Sequence, residues 1–492
     1  MSAITWEVSS GLVRGTLPTG RSRTLALVAL LLASFMELLD STIVNVALPR
    51  IEESLHARGP ELQWMVVAYT LAFAVGLITG ARLGDTIGRK RMFVAGLIGF
   101  TLFSALCGLA QNPEMLIAAR AAQGLASAAM IPQVLSSIQV MYKPSERAAG
   151  VALFSALAGV ASVSGPILGA VLTDADIAGL GWRSVFLVNV PVGVIAIVAA
   201  IRLVPESTSP IAHRLDVVGV VTLAAGLLAL LYPLTVGTDQ GWPLWTWLSI
   251  AAGLGLLWRF LVVQRREEST GGEPLVPLSL FRFTAFAAGL LLLALFFIPM
   301  TGYLLIQTLF LQLGLGYSTL NAGLTMLPFA IAVPVLAGLS ATVLVKKFGR
   351  LVLVLAPIVT AAGFSVLGLT AAVGGASVTS VQLIPGLLLA GAGFGMLVGP
   401  IGIFVLGQVP VAYAGAASGI FNTTSSLSSA IGAAVIGTVF LGIAKGADAA
   451  PPAAFQEAFV PSALIMAAIV LISGVAAFFL PKRPILDDQP AG

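Results

Sequence analysis

The sequence predicts an all-α polytopic membrane protein with fourteen transmembrane helices, grouped as two six-helix bundles with two further helices inserted between them. Three observations predict it. Charged residues are 9% of the chain and hydrophobic ones 58%, with mean hydropathy +1.02, whereas a soluble globular protein carries about 25% charged residues. Apolar runs of about 20 residues, the length that crosses a bilayer core, recur along the whole chain. Arginine and lysine gather on alternate connections between those runs instead of on all of them.

In order, the spans are expected at 25–47, 62–83, 92–110, 115–141, 148–172, 184–203, 215–235, 244–263, 284–311, 319–344, 351–372, 381–406, 415–442 and 459–480. Residues 1–24, with Arg14, Arg21 and Arg23, read as a cytoplasmic tail. The first run is too long for a signal-peptide core and no small-residue cleavage site follows it, so it is expected to stay as span one. With that tail inside, the inner connections hold Arg89-Lys90-Arg91, Lys143 and Arg147, Arg202 and Arg214, Arg265-Arg266, Lys346-Lys347 and Arg350, and Lys482-Arg483. The outer ones hold only Arg50, Arg58, Arg183 and Lys445. This is the positive-inside bias, kept in one phase to the last span, and it places both termini in the cytoplasm.

The same reading divides the chain. Residues 25–203 make the first bundle. Residues 204–282 carry the two extra spans, between a loop marked by Pro205 and Pro210 and a charged linker, Gln264–Pro274. Residues 283–480 make the second bundle and 481–492 a cytoplasmic tail. Two six-span halves are the layout of a secondary transporter built from repeats, and the inserted pair is expected at its periphery.

Polar groups inside spans are the functional candidates. Glu37 and Asp40 lie in span one, a helical turn apart on adjoining parts of one face. A carboxylate at mid-bilayer depth costs about 2.5–3.5 kcal/mol, so these acids are expected to carry a proton or hold substrate. The plainer alternative is an acid near the outer end, wetted by headgroups. Arg120 in span four either pairs with one of them or snorkels to the outer surface. Gln123, Gln307, Asn422 and Asn45 are the amides expected in a substrate cavity, since a buried amide needs a partner. Trp64, Phe35, Tyr69, Phe297, Tyr303 and Phe394 either line an apolar pocket or simply pack.

Other classes lose ground. The net charge of +4 reflects the basic loops and gives no reason to expect nucleic acid as a partner. With Cys107 as the single cysteine, no intrachain disulfide exists, and it reads as a small core residue. No lysine is followed by serine or threonine, so there is no phosphate-binding loop for ATP. No Cys/His cluster suggests a metal, and no nucleophile–base constellation suggests an enzyme. No cofactor is expected.

Four stretches combine into a resemblance: Leu39–Pro49; Ala81–Lys90 between spans two and three; Leu116 with Arg120, Gln123 and Gly124; and Gly159, Gly165, Pro166 and Gly169 in span five. With Gln63-Trp64, Trp182-Arg183, Asn189 and Ser418-Gly419 in order over nearly the whole chain, the sequence resembles the major facilitator superfamily. More narrowly, it is similar to the fourteen-helix drug:proton antiporters of the EmrB/QacA type. The resemblance implies a major facilitator fold and proton-coupled, alternating-access export of an amphipathic or cationic small molecule, such as a drug or the host's own antibiotic. It implies a multi-pass protein of a bacterial inner membrane, acting as a monomer, with the substrate, protons and the lipid bilayer as partners.

Residue by residue, the resemblance makes Asp85, Gly88, Arg89 and Lys90 an inner latch that holds the outward-open state. It makes Arg120 the partner of Asp40 and Glu37 in proton coupling, with Asp40 the natural carrier. It makes Gly159, Gly165, Pro166 and Gly169 the mark of an exporter. Ala81 stands at the usual first glycine of the latch, with Gly80 one place early, and Thr86 stands where an arginine is common. A weaker latch, or one with different partners, is therefore expected. An exporter of a lipid-like or anionic metabolite, an importer, and a receptor without transport are the competing readings.

Overall fold

The structure, a computed structural model, describes residues 12–14, 18–57, 59–142, scattered positions from 146 to 176, then 179–208, 216–270, 272, 274–410, 413–446 and 451–483. Among the described residues, thirteen helices are long and apolar enough to cross a membrane. Each overlaps an expected span. The expected fifth, 148–172, lies partly outside the described residues, Gly159 and Pro166 included, while Gly165 and Gly169 are helical.

Local chemistry sets many of the helix ends. Span one is a single helix, Gly20–Leu55, of 36 residues. At 1.5 Å per residue it runs about 54 Å, more than a bilayer core, and it stops at His56 in the left-handed conformation. Span four, Pro113–Met141, begins at Asn112, whose side chain accepts from the Met115 amide at 2.8 Å, with proline at the first helical position where its missing N–H is not needed. Span twelve, Ser380–Leu406, opens on a capping box between Thr379 and Gln382. Span ten is the most broken. Its pieces are Thr319–Thr325 and Leu327–Leu339, then a π turn at Ser340–Leu344 and Val345–Phe348. Pro328 heads the second piece, and the first helix ends just before it.

The packing sorts the helices into two sets. Spans two, three and four pack on one another, and spans one and three on span six. In the second set, span nine packs on thirteen and fourteen, twelve on ten and eleven, and eleven on fourteen. The sets meet where span thirteen, Ala414–Gly446, lies against spans two and four. Span eight is peripheral, with Trp247 57% and Trp258 69% exposed. Span seven differs from the expectation of a peripheral pair: besides span eight it packs on spans two and thirteen. Tyr232 stacks on Trp64 at 5.3 Å, and Trp242, just after span seven, donates from Nε1 to Thr438 Oγ1 at 3.3 Å.

Both ends of the described chain lie on the face that carries the basic connections. Strand β1 (Leu12–Arg14) pairs antiparallel with β2 (Glu206–Thr208), which follows span six. At the other end the Arg350 amide donates to Lys482 O at 3.0 Å, and its guanidinium donates to Phe478 O and Leu480 O. The linker after span eight is folded back on it. Gln264 Oε1 accepts from Val276 N, and the Glu268 carboxylate accepts from Leu278 N and Ser279 N at 3.0 Å each.

Candidate functional site

Asp40 and Arg120 form a buried ion pair in the first bundle, with side chains 0% and 1% exposed. The pairing reading of Arg120 thus holds over snorkelling. Asp40 Oδ1 also accepts from Gln123 Nε2 at 3.1 Å and from Asn189 Nδ2 at 2.9 Å. Arg120 donates from Nε to Met65 O at 3.2 Å and from Nη1 to Gln123 Oε1 at 2.9 Å. Its guanidinium lies 4.1 Å from the Tyr69 ring centroid, a cation–π contact that gains strength from desolvation. Asn189 Nδ2 reaches Ser104 Oγ at 3.1 Å, which donates to Phe186 O. Spans one, two, three, four and six therefore converge on one carboxylate.

Glu37, 5% exposed, sits a turn before Asp40 and has a separate partner. The Tyr69 hydroxyl donates to its Oε1 at 3.2 Å and shares a 2.9 Å bond with Ser127 Oγ. Small residues make this convergence possible. A Cβ on Gly124 would collide with the backbone oxygen of Tyr69, so glycine there lets spans two and four approach and brings Arg120, a turn earlier, over the Tyr69 ring. Gly165 does the same for span five, whose backbone is against Thr42 of span one. The Asn45 side chain lies outside the described residues.

The residues expected to form an inner latch make a second cluster on the basic face. Arg89 donates from Nε and Nη2 to Asp85 Oδ1 at 3.0 and 2.7 Å, both side chains 1% exposed. Gly88 between them has φ 123, a backbone that favours glycine. The Asp85 carboxylate abuts Gly415 at the start of span thirteen, where any Cβ would overlap it. Here the two bundles touch, and Ser136 Oγ reaches Ser418 Oγ at 3.5 Å in the same seam. Lys90 donates from its amide to Glu206 Oε1 at 3.2 Å and from Nζ to Ile201 O at 2.7 Å, and Arg91 lies 3.6 Å from Glu206. Glu206 in β2 is thus a partner of Lys90 and Arg91 that sequence reasoning missed.

The amides of the second bundle do not join the network. Gln307 is fully buried with neither amide atom hydrogen-bonded, beside Tyr303, whose hydroxyl is also unpartnered. Tyr303 packs on Phe364 and Phe329 at 4.8 and 5.9 Å. Asn422, half-buried, donates to Ser418 O of its own helix at 2.8 Å. Gln123 is 0% exposed and serves the ion pair. Sequence reasoning placed Asn189 and Tyr69 among resemblance and packing residues. An amide near the start of span six and a tyrosine hydroxyl in span two carry the general signal that a buried polar group needs a partner.

Two helical bundles meeting at a seam, with a buried acid–base network inside one of them, define a class: the polytopic membrane transporter. The profile of the Major Facilitator Superfamily matches residues 30–433, and the chain belongs to that superfamily. It is 43% identical over 433 residues to a probable actinorhodin transporter of Streptomyces coelicolor, covering 88% of this chain and 75% of that one. It is 34% identical over 486 residues to a cephamycin export protein of Amycolatopsis lactamdurans, covering 96% and 97%. A puromycin resistance protein of Streptomyces alboniger is 32% identical over 419 residues, covering 85% and 81%. Among solved structures, the human organic anion transporter MFSD10 superposes with TM-score 0.64 at 14% identity, covering 93% of this chain and 100% of that one. The proton:xylose symporter XylE superposes with TM-score 0.63, also at 14%, covering 92% and 94%. At such identity these two speak for the fold alone.

Proposed function

We propose that this chain is a proton-coupled exporter, a drug:proton antiporter of the fourteen-helix EmrB/QacA type. It carries amphipathic or cationic small molecules, including an antibiotic made by its host, out of a bacterial cell by alternating access. The observation that carries the reading is the buried Asp40–Arg120 pair with Glu37 a turn away. Ionisable groups inside a span mark ion and proton pathways by default. The relatives named for actinorhodin, cephamycin and puromycin support the substrate class. Asp85, Gly88, Arg89 and Lys90 act as the latch of an outward-open state, closed on the basic, cytoplasmic face by Asp85 against Gly415. Gly159, Gly165, Pro166 and Gly169 act as the helix-packing stretch that marks an exporter over an importer. Gln307, Asn422 and Asn45 face the substrate during the cycle. The working unit is a monomer with both termini in the cytoplasm.

The test uses everted membrane vesicles with an imposed proton gradient, acid inside, and a panel of an actinorhodin-type quinone, a cephamycin and puromycin. At least one compound is expected to accumulate inside only while the gradient lasts and to leak out on adding a protonophore. Accumulation indifferent to the gradient for every transported compound would overturn proton coupling.

A further inference from the structure

The two acids of span one have opposite surroundings. We propose that Glu37 takes up and releases the exchanged proton, while Asp40 stays ionised and bound to Arg120 throughout the cycle; this rests on the proton-coupled reading above. Every hydrogen bond that Asp40 makes is one it accepts, from Arg120, Gln123 and Asn189. A proton added there would meet N–H groups and leave the buried Arg120 guanidinium without its anion. Stranding one partner of a buried pair is strongly unfavourable, and the stranded group here holds spans one, two and four together through Asp40, Met65 and Gln123.

Glu37 meets a different kind of group. Its hydrogen-bond partner is a hydroxyl, Tyr69, which in turn meets a second hydroxyl, Ser127, in a bond where either oxygen can donate. A hydroxyl is both donor and acceptor. With Glu37 ionised, Tyr69 donates to it and accepts from Ser127. With Glu37 protonated, Glu37 donates to Tyr69 and Tyr69 donates to Ser127. The proton comes from water and returns to it, and the two hydroxyls only turn. Glu37 and the Tyr69 hydroxyl each keep a hydrogen-bond partner in both states, so protonating Glu37 does not strand its carboxyl.

The charged and titratable groups facing Glu37 are Asp40 on its own helix, Tyr69 on span two and Arg120 on span four. Among the described residues, Arg120 donates to Asp40, Gln123 and Met65 O. Tyr69 joins the two sites, since its hydroxyl holds Glu37 and its ring carries the Arg120 guanidinium. A movement of span two that shifts Tyr69 alters the proton site without breaking the ion pair.

The test titrates the full chain in lipid by infrared difference spectroscopy, reading the carbonyl stretch of a protonated carboxylic acid. Exposed carboxyls titrate alike in all variants and cancel between them. A pH-sensitive band is expected in the wild type, lost in Glu37→Gln, displaced in frequency in Tyr69→Phe and recovered in Glu37→Asp. Glu37→Gln keeps an oxygen that accepts from Tyr69, so it folds. In a second arm, proteoliposomes are loaded with puromycin as the probe. Glu37→Gln should lose gradient-driven accumulation while keeping gradient-free exchange. A band that survives in Glu37→Gln, or gradient-driven accumulation by that variant, would overturn the assignment. If the wild type accumulates no puromycin under a gradient, export of that compound fails, and the infrared comparison still decides for or against Glu37.

Discussion

Asp40 and Arg120 are a pair in which neither residue has a separable energy. Each is sealed from water, so removing one leaves the other buried and uncompensated, which costs about 3–5 kcal/mol. Asp40→Asn and Arg120→Ala should each lower the unfolding temperature in detergent and each abolish gradient-driven export. The double variant should lose less than the sum of the single losses, by about 0.5–3 kcal/mol, because the second change removes a group already stranded. Strictly additive losses in thermal unfolding would mean that the two residues act independently. Cys107 belongs to the same scale. It is 0% exposed and donates weakly to Gln123 Oε1 at 3.5 Å. It should therefore resist a membrane-permeant maleimide in the folded protein, so that introduced cysteines can be read over a silent background. Labelling of wild-type protein at the rate of an exposed thiol would contradict this burial.

Among the elements, the contact of span two with span thirteen is the one the proposed cycle would open. Asp85 faces Gly415 with no space for a side chain, so Gly415→Leu should wedge the seam apart. The reporter is a cysteine at Ala417, now 0% exposed. In a Gly415→Leu background, Ala417→Cys should label faster with maleimide than in the wild-type background, and equal rates would place the seam elsewhere. Glu206→Gln should act in the same direction but weakly. Its partner Arg91 is 63% exposed, and such surface pairs contribute about 0–1 kcal/mol. The departures at Ala81 and Thr86 pointed to a weaker latch or one with different partners. Glu206 meets Lys90, from 116 residues away, and Arg91.

At the scale of the whole molecule, spans seven and eight differ in role. Span seven meets one bundle through Tyr232 on Trp64, and Trp242 just after it reaches Thr438 of the other. Aromatic pairs of this kind contribute about 0.5–1.5 kcal/mol beyond the area they bury, enough to shift the equilibrium of the proposed alternating-access cycle. Tyr232→Ala should therefore change the rate of vesicle export, while Trp258→Leu on the exposed face of span eight should leave it unaltered. Equal effects would show that both spans are passive.

The sequence by itself determined the place of nearly every described span, and the face on which the two ends of the described chain lie. Those properties are local: a run of apolar side chains seeks hydrocarbon wherever its neighbours are, and a basic loop resists crossing it. It also singled out Asp40, Glu37 and Arg120, because a charge in an apolar run stands out without any knowledge of its partners. Only the tertiary structure decided which groups answer those charges. Asn189 reaches Asp40 from 149 residues away and Ser127 meets Tyr69 from 58 away. Neither has a sequence signature beyond being polar in a span. Only the packing decided that span seven lies at the seam, that Glu206 meets Lys90 and Arg91, and that Gln123 serves the ion pair. A partner is chosen by which helix faces meet, and that depends on small residues such as Gly124 and Gly415 letting particular backbones come close.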